Sequence, residues 1–290
     1  MAPTKLHIEL TTNCNLSCPL CDHGKTDSHE IDFDILSKWL NQELSKITDI
    51  TLCGSFGEPT LYSRFSDLIE LIKTKNPKTA ISINTNGSTK TFESWAKDLK
   101  NLDESDSLVF AIDGLEDTHK KYRISDFKKV FEVMCQIKRD FPVKVLWQMV
   151  LFEHNEHQVK EVQRICSILG ITVILKFPHA VNENIRYPKE YLGTSWEKMS
   201  GENLLPCEEY IYISSLGNIE PCAKLRTYKE YKKSEIKNVP ANFLIQSYKN
   251  PLNLEKSYEE ICESQLYLWL KENRHSINNC KKCVSCGGIK

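Results

Sequence analysis

The stretch Leu6-His7-Ile8-Glu9-Leu10-Thr11-Thr12-Asn13-Cys14-Asn15-Leu16-Ser17-Cys18-Pro19-Leu20-Cys21 decides how this chain is read. A short apolar run, residues 6–10, reads as a strand and leads directly into a loop that holds three cysteines. Further strand-like runs lie at 50–53, 80–84, 108–112, 145–151 and 173–177, and helical patterns fill the intervals at 32–46, 63–75, 89–100, 116–140 and 156–169. The last of these helices stops at Gly170, a residue suited to the left-handed C′ position. Strands that alternate with helices build a parallel sheet with right-handed crossovers, either an open doubly wound sheet or a partly closed barrel. In both architectures the active site lies at the carboxyl ends of the strands, where the Cys14/Cys18/Cys21 loop falls.

The remaining composition narrows the function classes. The chain has 290 residues, 40% of them hydrophobic, and a formal net charge of -1, so no whole-molecule field points to a nucleic-acid or membrane partner. The N-terminus lacks the apolar stretch of a signal peptide and no segment has the length of a membrane span, so a cytoplasmic protein is expected. Twelve cysteines in a reducing compartment call for a role other than disulfides. Six fall in two triples, Cys14/Cys18/Cys21 and Cys280/Cys283/Cys286, and Cys207 and Cys222 flank an expected hairpin at 210–214 and 218–221 around Gly217. Cys53, Cys135, Cys166 and Cys262 stand alone, and the first three read as buried thiols.

Three thiolates so closely spaced can each take one iron of a cubane and leave the fourth iron open. A zinc knuckle completed by His23 is the alternative. Cys14-x3-Cys18-x2-Cys21 resembles the signature of the radical S-adenosylmethionine (SAM) superfamily, in its SPASM and twitch branch. That resemblance implies a partial (β/α)6 TIM-like barrel over residues 1–180 and a small α+β twitch-like domain over 181–290. It also implies a catalytic [4Fe–4S] cluster whose open iron chelates SAM, and reductive cleavage of SAM to a 5′-deoxyadenosyl radical that abstracts a substrate hydrogen atom. An electron donor such as a flavodoxin or ferredoxin is then required. Many family members carry an aromatic residue before the third cysteine, where this chain has Leu20, which bears on how the adenine is packed.

The resemblance extends to the cofactor contacts. Gly57-Glu58-Pro59 after the second strand matches the family's Gly-Glu-Pro, expected to meet the SAM ammonium. Thr85-Asn86-Gly87 matches a turn that approaches the cofactor, Asp113 a position at the ribose or methionine end, and Arg123 an arginine that pairs with the SAM carboxylate. Each has a bland counterpart: a helix start, an Asn-Gly turn, a solvated helix arginine. Gln148 on the fifth strand and Asn155 after it resemble polar positions lining the active site, whereas His154 and His157 receive no role.

In the C-terminal part, Cys207-x9-Gly217-x4-Cys222 matches the opening of twitch and SPASM domains. With Cys280 and Cys283 it implies a second, auxiliary [4Fe–4S] cluster, Cys286 being the rival fourth ligand and a four-cysteine zinc ribbon the alternative site. Too few cysteines follow for the second auxiliary cluster of a full SPASM domain. Only five residues precede the first strand, where peptide-modifying relatives often carry a recognition domain, which favours oxidation of a small molecule or, as the alternative, modification of a ribosomally made peptide delivered by a separate protein. Lys224, Arg226, Lys229, Lys232 and Lys233 read as a solvated face or as steering for an acidic substrate. An iron–sulfur electron carrier is the alternative from another class, but it has no use for Gly57-Glu58-Pro59 or Asp113.

Overall fold

The computed structural model describes residues 4–21, 27–54, 56–178, 181–190, 210–220, 253–264 and 268. Six parallel strands stand side by side in chain order: β1 (Lys5–Ile8), β2 (Asp49–Leu52), β3 (Ala80–Thr85), β4 (Ser107–Ala111), β5 (Lys144–Val150) and β6 (Thr172–Lys176). Between them run α1 (Phe33–Glu43), α2 (Phe65–Lys75), α3 (Phe92–Leu99), α4 (Glu116–Tyr122), α5 (Phe127–Asp140) and α6 (Val159–Leu169). Asp32, Thr91 and Asp126 cap α1, α3 and α5 through their side chains, and α6 ends as expected at Gly170 with φ 63°.

Period-two alternation divides the sheet into two faces. Leu6, Ile8, Ile50, Leu52, Ile81, Ile83, Phe110 and Trp147 are buried in one core with Leu36, Trp39, Leu68, Trp95, Met134 and Val162 of the helices. The alternate positions, among them His7, Thr51, Cys53, Ser82, Asn84, Ala111, Gln148 and Lys176, point to the other face and stay partly exposed. The positive charge of Lys176 on β6 acts on the Cys53 thiol just after β2, although three strands stand between them. The sheet is therefore curled around this second, polar face, as a partial barrel requires.

The structure adds two strands to that sheet. β7 (Tyr210–Ile213) and β8 (Ile219–Glu220) form the expected antiparallel hairpin, and β7 also pairs in parallel with β1, setting Tyr212 beside His7. The sheet order is β6-β5-β4-β3-β2-β1-β7-β8, so β6 and β8 are edges and the sheet does not close. A short helix, α7 (Tyr258–Glu263), is capped by a Ser257/Glu260 box, and its Tyr258 and Ile261 join the same core. Trp39 Nε1 donates to the Lys256 carbonyl at 2.9 Å, fastening this segment to α1.

Two expected helices are interrupted. The pattern over 116–140 is two helices, α4 and α5, because Arg123 turns to extended backbone and Asp126 starts a new helix as its cap. A helical pattern in the sequence from Ser257 to about Asn273 is likewise not continuous: α7 ends at Glu263 and Ser264 is extended at ψ 137°. Among the described residues no helix is long and apolar enough to cross a membrane.

Candidate active site

Three loops at the carboxyl ends of β1, β2 and β3 are bonded into one platform. The cysteine loop is pinned at its base by Thr12, whose N–H donates to the His29 carbonyl and whose hydroxyl donates to that of Asp27, both at 2.9 Å, and Leu16 is buried beneath it. Cys14, Cys18 and Cys21 are half-exposed free thiols along this loop. The Leu16 N–H donates to Cys14 Sγ at 3.5 Å, and the Cys21 N–H to the Cys18 carbonyl at 3.0 Å.

The second loop lies directly on the first. Glu58 N–H donates to the Asn13 carbonyl at 2.8 Å, and Gly57 is so close that a Cβ there would sit 2.0 Å from the Thr11 carbonyl oxygen. Only a residue without Cβ allows this backbone-on-backbone contact. Pro59 opens the short 3-10 turn Pro59–Leu61, and Phe56 N–H donates at 2.9 Å to Glu9, whose other oxygen accepts from Tyr212 of β7 at 2.9 Å.

The Glu58 carboxylate turns inward. Oε1 accepts from the Thr60 and Thr85 hydroxyls, each at 2.7 Å, and Oε2 from the Asn86 N–H at 2.7 Å. Burial pushes its pKa above the usual carboxylate value, and those hydrogen bonds oppose the shift. The side chain thus locks the second loop to the third, while Oε2 keeps a lone pair for a further donor. Asn86 closes the platform, its Nδ2 donating to Asn15 Oδ1 at 2.9 Å and lying 3.8 Å from Cys14 Sγ.

Beside this platform stands an ion pair. Asp113, fully buried after β4, accepts from Arg123 Nε at 2.9 Å and from Val150 N–H at 2.6 Å. Burial alone would lower the Arg123 pKa, but Asp113, with Cys18 and Tyr122, outweighs it and the net shift is upward. Burial raises the Cys18 thiol, while Arg123 and the Ile124 N–H pull it back down, so Arg123 faces the cysteine loop. Cys14 is raised by burial too, with Glu58 adding to the shift.

Asn155 supports this pair from beneath. Its Nδ2 donates to the carbonyls of Val150 and Asp113, at 2.9 and 3.2 Å, and its Oδ1 accepts from Phe152 N–H at 2.8 Å. Gln148 is apart from that network, on the polar face of β5. Cys207, Cys222, Cys280, Cys283, Cys286 and the lysine-rich stretch lie outside the described residues.

Two partners in the network have no counterpart in the sequence reading. His119 is fully buried, its Nδ1 accepting from Asp113 N–H at 3.1 Å and its Nε2 lying 2.8 Å from Ser125 Oγ. Gln158 accepts from Leu115 N–H at 2.8 Å and holds the loop after Gly114. The signal for His119 was its i, i+4 spacing from Arg123, the separation that the bond from the Arg123 N–H to the His119 carbonyl closes as the last turn of α4.

The donor set, three free thiols spaced along one loop, suits an iron–sulfur cluster. Among the described residues no three His, Cys, Asp or Glu side chains converge where one metal ion could sit, and His23, the fourth ligand of the zinc alternative, lies outside those residues. Cys14, Cys18 and Cys21 would hold that cluster, and N–H groups at two of the sulfurs favour their thiolate form.

Comparison with known proteins agrees. The chain is 24% identical to the tungsten-containing aldehyde ferredoxin oxidoreductase cofactor-modifying protein of Pyrococcus furiosus, over 92% of this chain and 82% of that protein. It is 32% identical to a cysteine-type anaerobic sulfatase-maturating enzyme of Clostridium novyi, over 44% of this chain and 37% of that one. Its fold matches the crystal structure of Streptococcus suis SuiB bound to S-adenosylmethionine with a TM-score of 0.69 at 15% identity, covering 98% of this chain and 72% of that one. The radical SAM family model matches residues 8–166, more than half of the chain, from β1 through the cysteine loop to α6, and the chain therefore belongs to the radical SAM superfamily.

Proposed function

We propose that this enzyme cleaves SAM reductively at the Cys14/Cys18/Cys21 loop and oxidises a small polar molecule held against the concave face of the sheet. The observation that carries the reading is the Asp113–Arg123 pair facing Cys18 beside three mutually bonded loops. When bound, the cluster supplies the electron that splits the sulfonium of SAM and so yields the hydrogen-abstracting 5′-deoxyadenosyl radical. Arg123 presents a fixed guanidinium to the SAM carboxylate, and its terminal nitrogens have no partner among the described residues. Glu58 holds the platform in register, with Gly57, Pro59 and Asn86 forming the surface on which the amino end of SAM rests.

The polar face below, with Thr51, Ser82, Asn84 and Gln148, offers hydroxyl and amide groups to a hydrophilic substrate. After one hydrogen atom has left the substrate, loss of a further electron and a proton completes a two-electron oxidation. Cys207, Cys222, Cys280 and Cys283, in a C-terminal unit beginning near residue 181, would hold a second cluster, which would supply an acceptor for that electron. A flavodoxin or ferredoxin resupplies the first.

The cofactor-modifying name of the Pyrococcus furiosus relative, matched over nearly the whole chain, supports a non-peptide substrate. A second reading, modification of a peptide, is supported by the sulfatase-maturating relative. Anaerobic incubation of the reconstituted protein with SAM and dithionite should release 5′-deoxyadenosine, and none would be formed by an electron carrier. Stimulation of that release by polar metabolites, and not by cysteine- or serine-containing peptides, separates the two substrate readings.

A further inference from the structure

We propose that His119 is the positioning residue that sets Arg123 for SAM, acting from behind the Asp113–Arg123 pair; this rests on the assignment of Arg123 to SAM above. His119 and Arg123 are joined through the backbone, the Arg123 N–H donating to the His119 carbonyl at 2.9 Å in the last turn of α4. The imidazole then grips both sides of the pair. A backbone N–H can only donate, so Nδ1, 3.1 Å from Asp113 N, must be the acceptor, and the proton sits on Nε2 and is donated to Ser125 Oγ at 2.8 Å.

Each bond governs a different part of the site. The first fixes the backbone of Asp113, whose Oδ2 holds Arg123 Nε at 2.9 Å. The second fixes the turn after α4, in which Ser125 N–H donates to the Arg123 carbonyl at 2.8 Å and the Ile124 N–H is directed at Cys18. With Nε anchored and the backbone held on both sides, the guanidinium is kept beside the cysteine loop, where its charge acts on Cys18. Burial keeps the ring neutral, with a pKa lowered to about 4, so it adds no second positive charge behind Arg123. Phe127 packs edge-on at 6.0 Å and completes the pocket around it.

The test measures SAM affinity by equilibrium dialysis on anaerobically reconstituted protein, with iron content and the SAM-induced change in the EPR signal of the reduced cluster as companion readouts. His119→Ala strands the Asp113 N–H, and SAM should bind about tenfold more weakly at unchanged iron content. His119→Asn, whose Oδ1 takes the place of Nδ1, should restore affinity to within about threefold of the parent. In an Arg123→Ala background, His119→Ala should cause no further loss, because its effect passes through Arg123. Parental affinity in His119→Ala, equal losses in His119→Asn and His119→Ala, or additive losses with Arg123→Ala would each overturn the proposal. If His119→Ala does not fold, Ser125→Ala takes its place, with about threefold weaker binding expected and parental binding overturning the proposal. Undiminished SAM binding by Arg123→Ala alone would instead remove the assignment of Arg123, and the positioning role with it.

Discussion

Replacing Gly57 with alanine tests whether the cysteine loop and the Gly57-Glu58-Pro59 loop are in backbone contact. A Cβ at this position would lie 2.0 Å from the Thr11 carbonyl oxygen, 2.7 Å from its carbon and 2.9 Å from the Asn13 carbonyl oxygen. All three are main-chain atoms, so no side chain can swing aside, and the loops must part by about 1 Å or more to reach carbon contact distances. The 2.8 Å bond from Glu58 N–H to Asn13 O then stretches beyond hydrogen-bonding range. A stranded buried donor costs about 1–3 kcal/mol, and displacement of the carboxylate that Thr60, Thr85 and Asn86 share adds a similar amount. The sum, about 2–6 kcal/mol, corresponds to a fall in Tm of roughly 3–10 °C for a chain of 290 residues. Gly170→Ala is the control: it also meets an unfavourable φ of +63°, but only the flexible Lys138 side chain is near, at 3.6 Å. It should cost about 1–2 kcal/mol and leave SAM binding untouched. Scanning calorimetry of both variants, with SAM dialysis after reconstitution, decides the matter. If Gly57→Ala melts like the parent and binds SAM equally well, the contact that organises this platform is not there.

Further outcomes follow from the cysteines and from His119. Replacing Cys14, Cys18 and Cys21 together with alanine should abolish 5′-deoxyadenosine formation while auxiliary iron remains bound; undiminished formation would sink the catalytic assignment. Reconstituted protein should hold about eight irons, whereas a zinc ribbon in the C-terminal part would leave about four irons and one zinc. Cys283→Ala should lose the auxiliary centre and Cys286→Ala keep it, and the reverse result would exchange the two ligands. The His119 pKa falls from 6.5 to about 4 because burial penalises the charged ring, so protonation favours the unfolded chain. That contribution is complete above pH 6.5 and drains away as the pH falls toward 4, amounting to about 3 kcal/mol at most. Urea unfolding of the parent across this window should be steeper in pH than that of His119→Asn, and identical slopes would refute it.

The order of strands and helices was legible because each element carries its own period: alternation in β3 and β5, an apolar stripe on α5 and α6. What escaped that reading is what a local window does not contain. Arg123 interrupts the helical pattern of 116–140, yet the interruption follows from Asp126 capping a new helix and Asp113 drawing the guanidinium back toward the sheet. The carboxylate of Glu58 was expected to face the cofactor, and its inward turn depends on Thr85 and Asn86, 27 and 28 residues away.

By itself, then, the sequence determined the sheet-and-helix alternation and the cysteine spacing, since propensity, periodicity and ligand spacing all act over a few residues. Only the tertiary structure decided that β7 joins β1 across some 200 residues, that the sheet curls until Lys176 acts on Cys53, and that His119 stands behind Asp113. Those outcomes belong to parallel pairing and to buried hydrogen bonds. Their partners are chosen by which groups must find donors or acceptors once water is excluded, and that choice exists only after the chain has closed around its core.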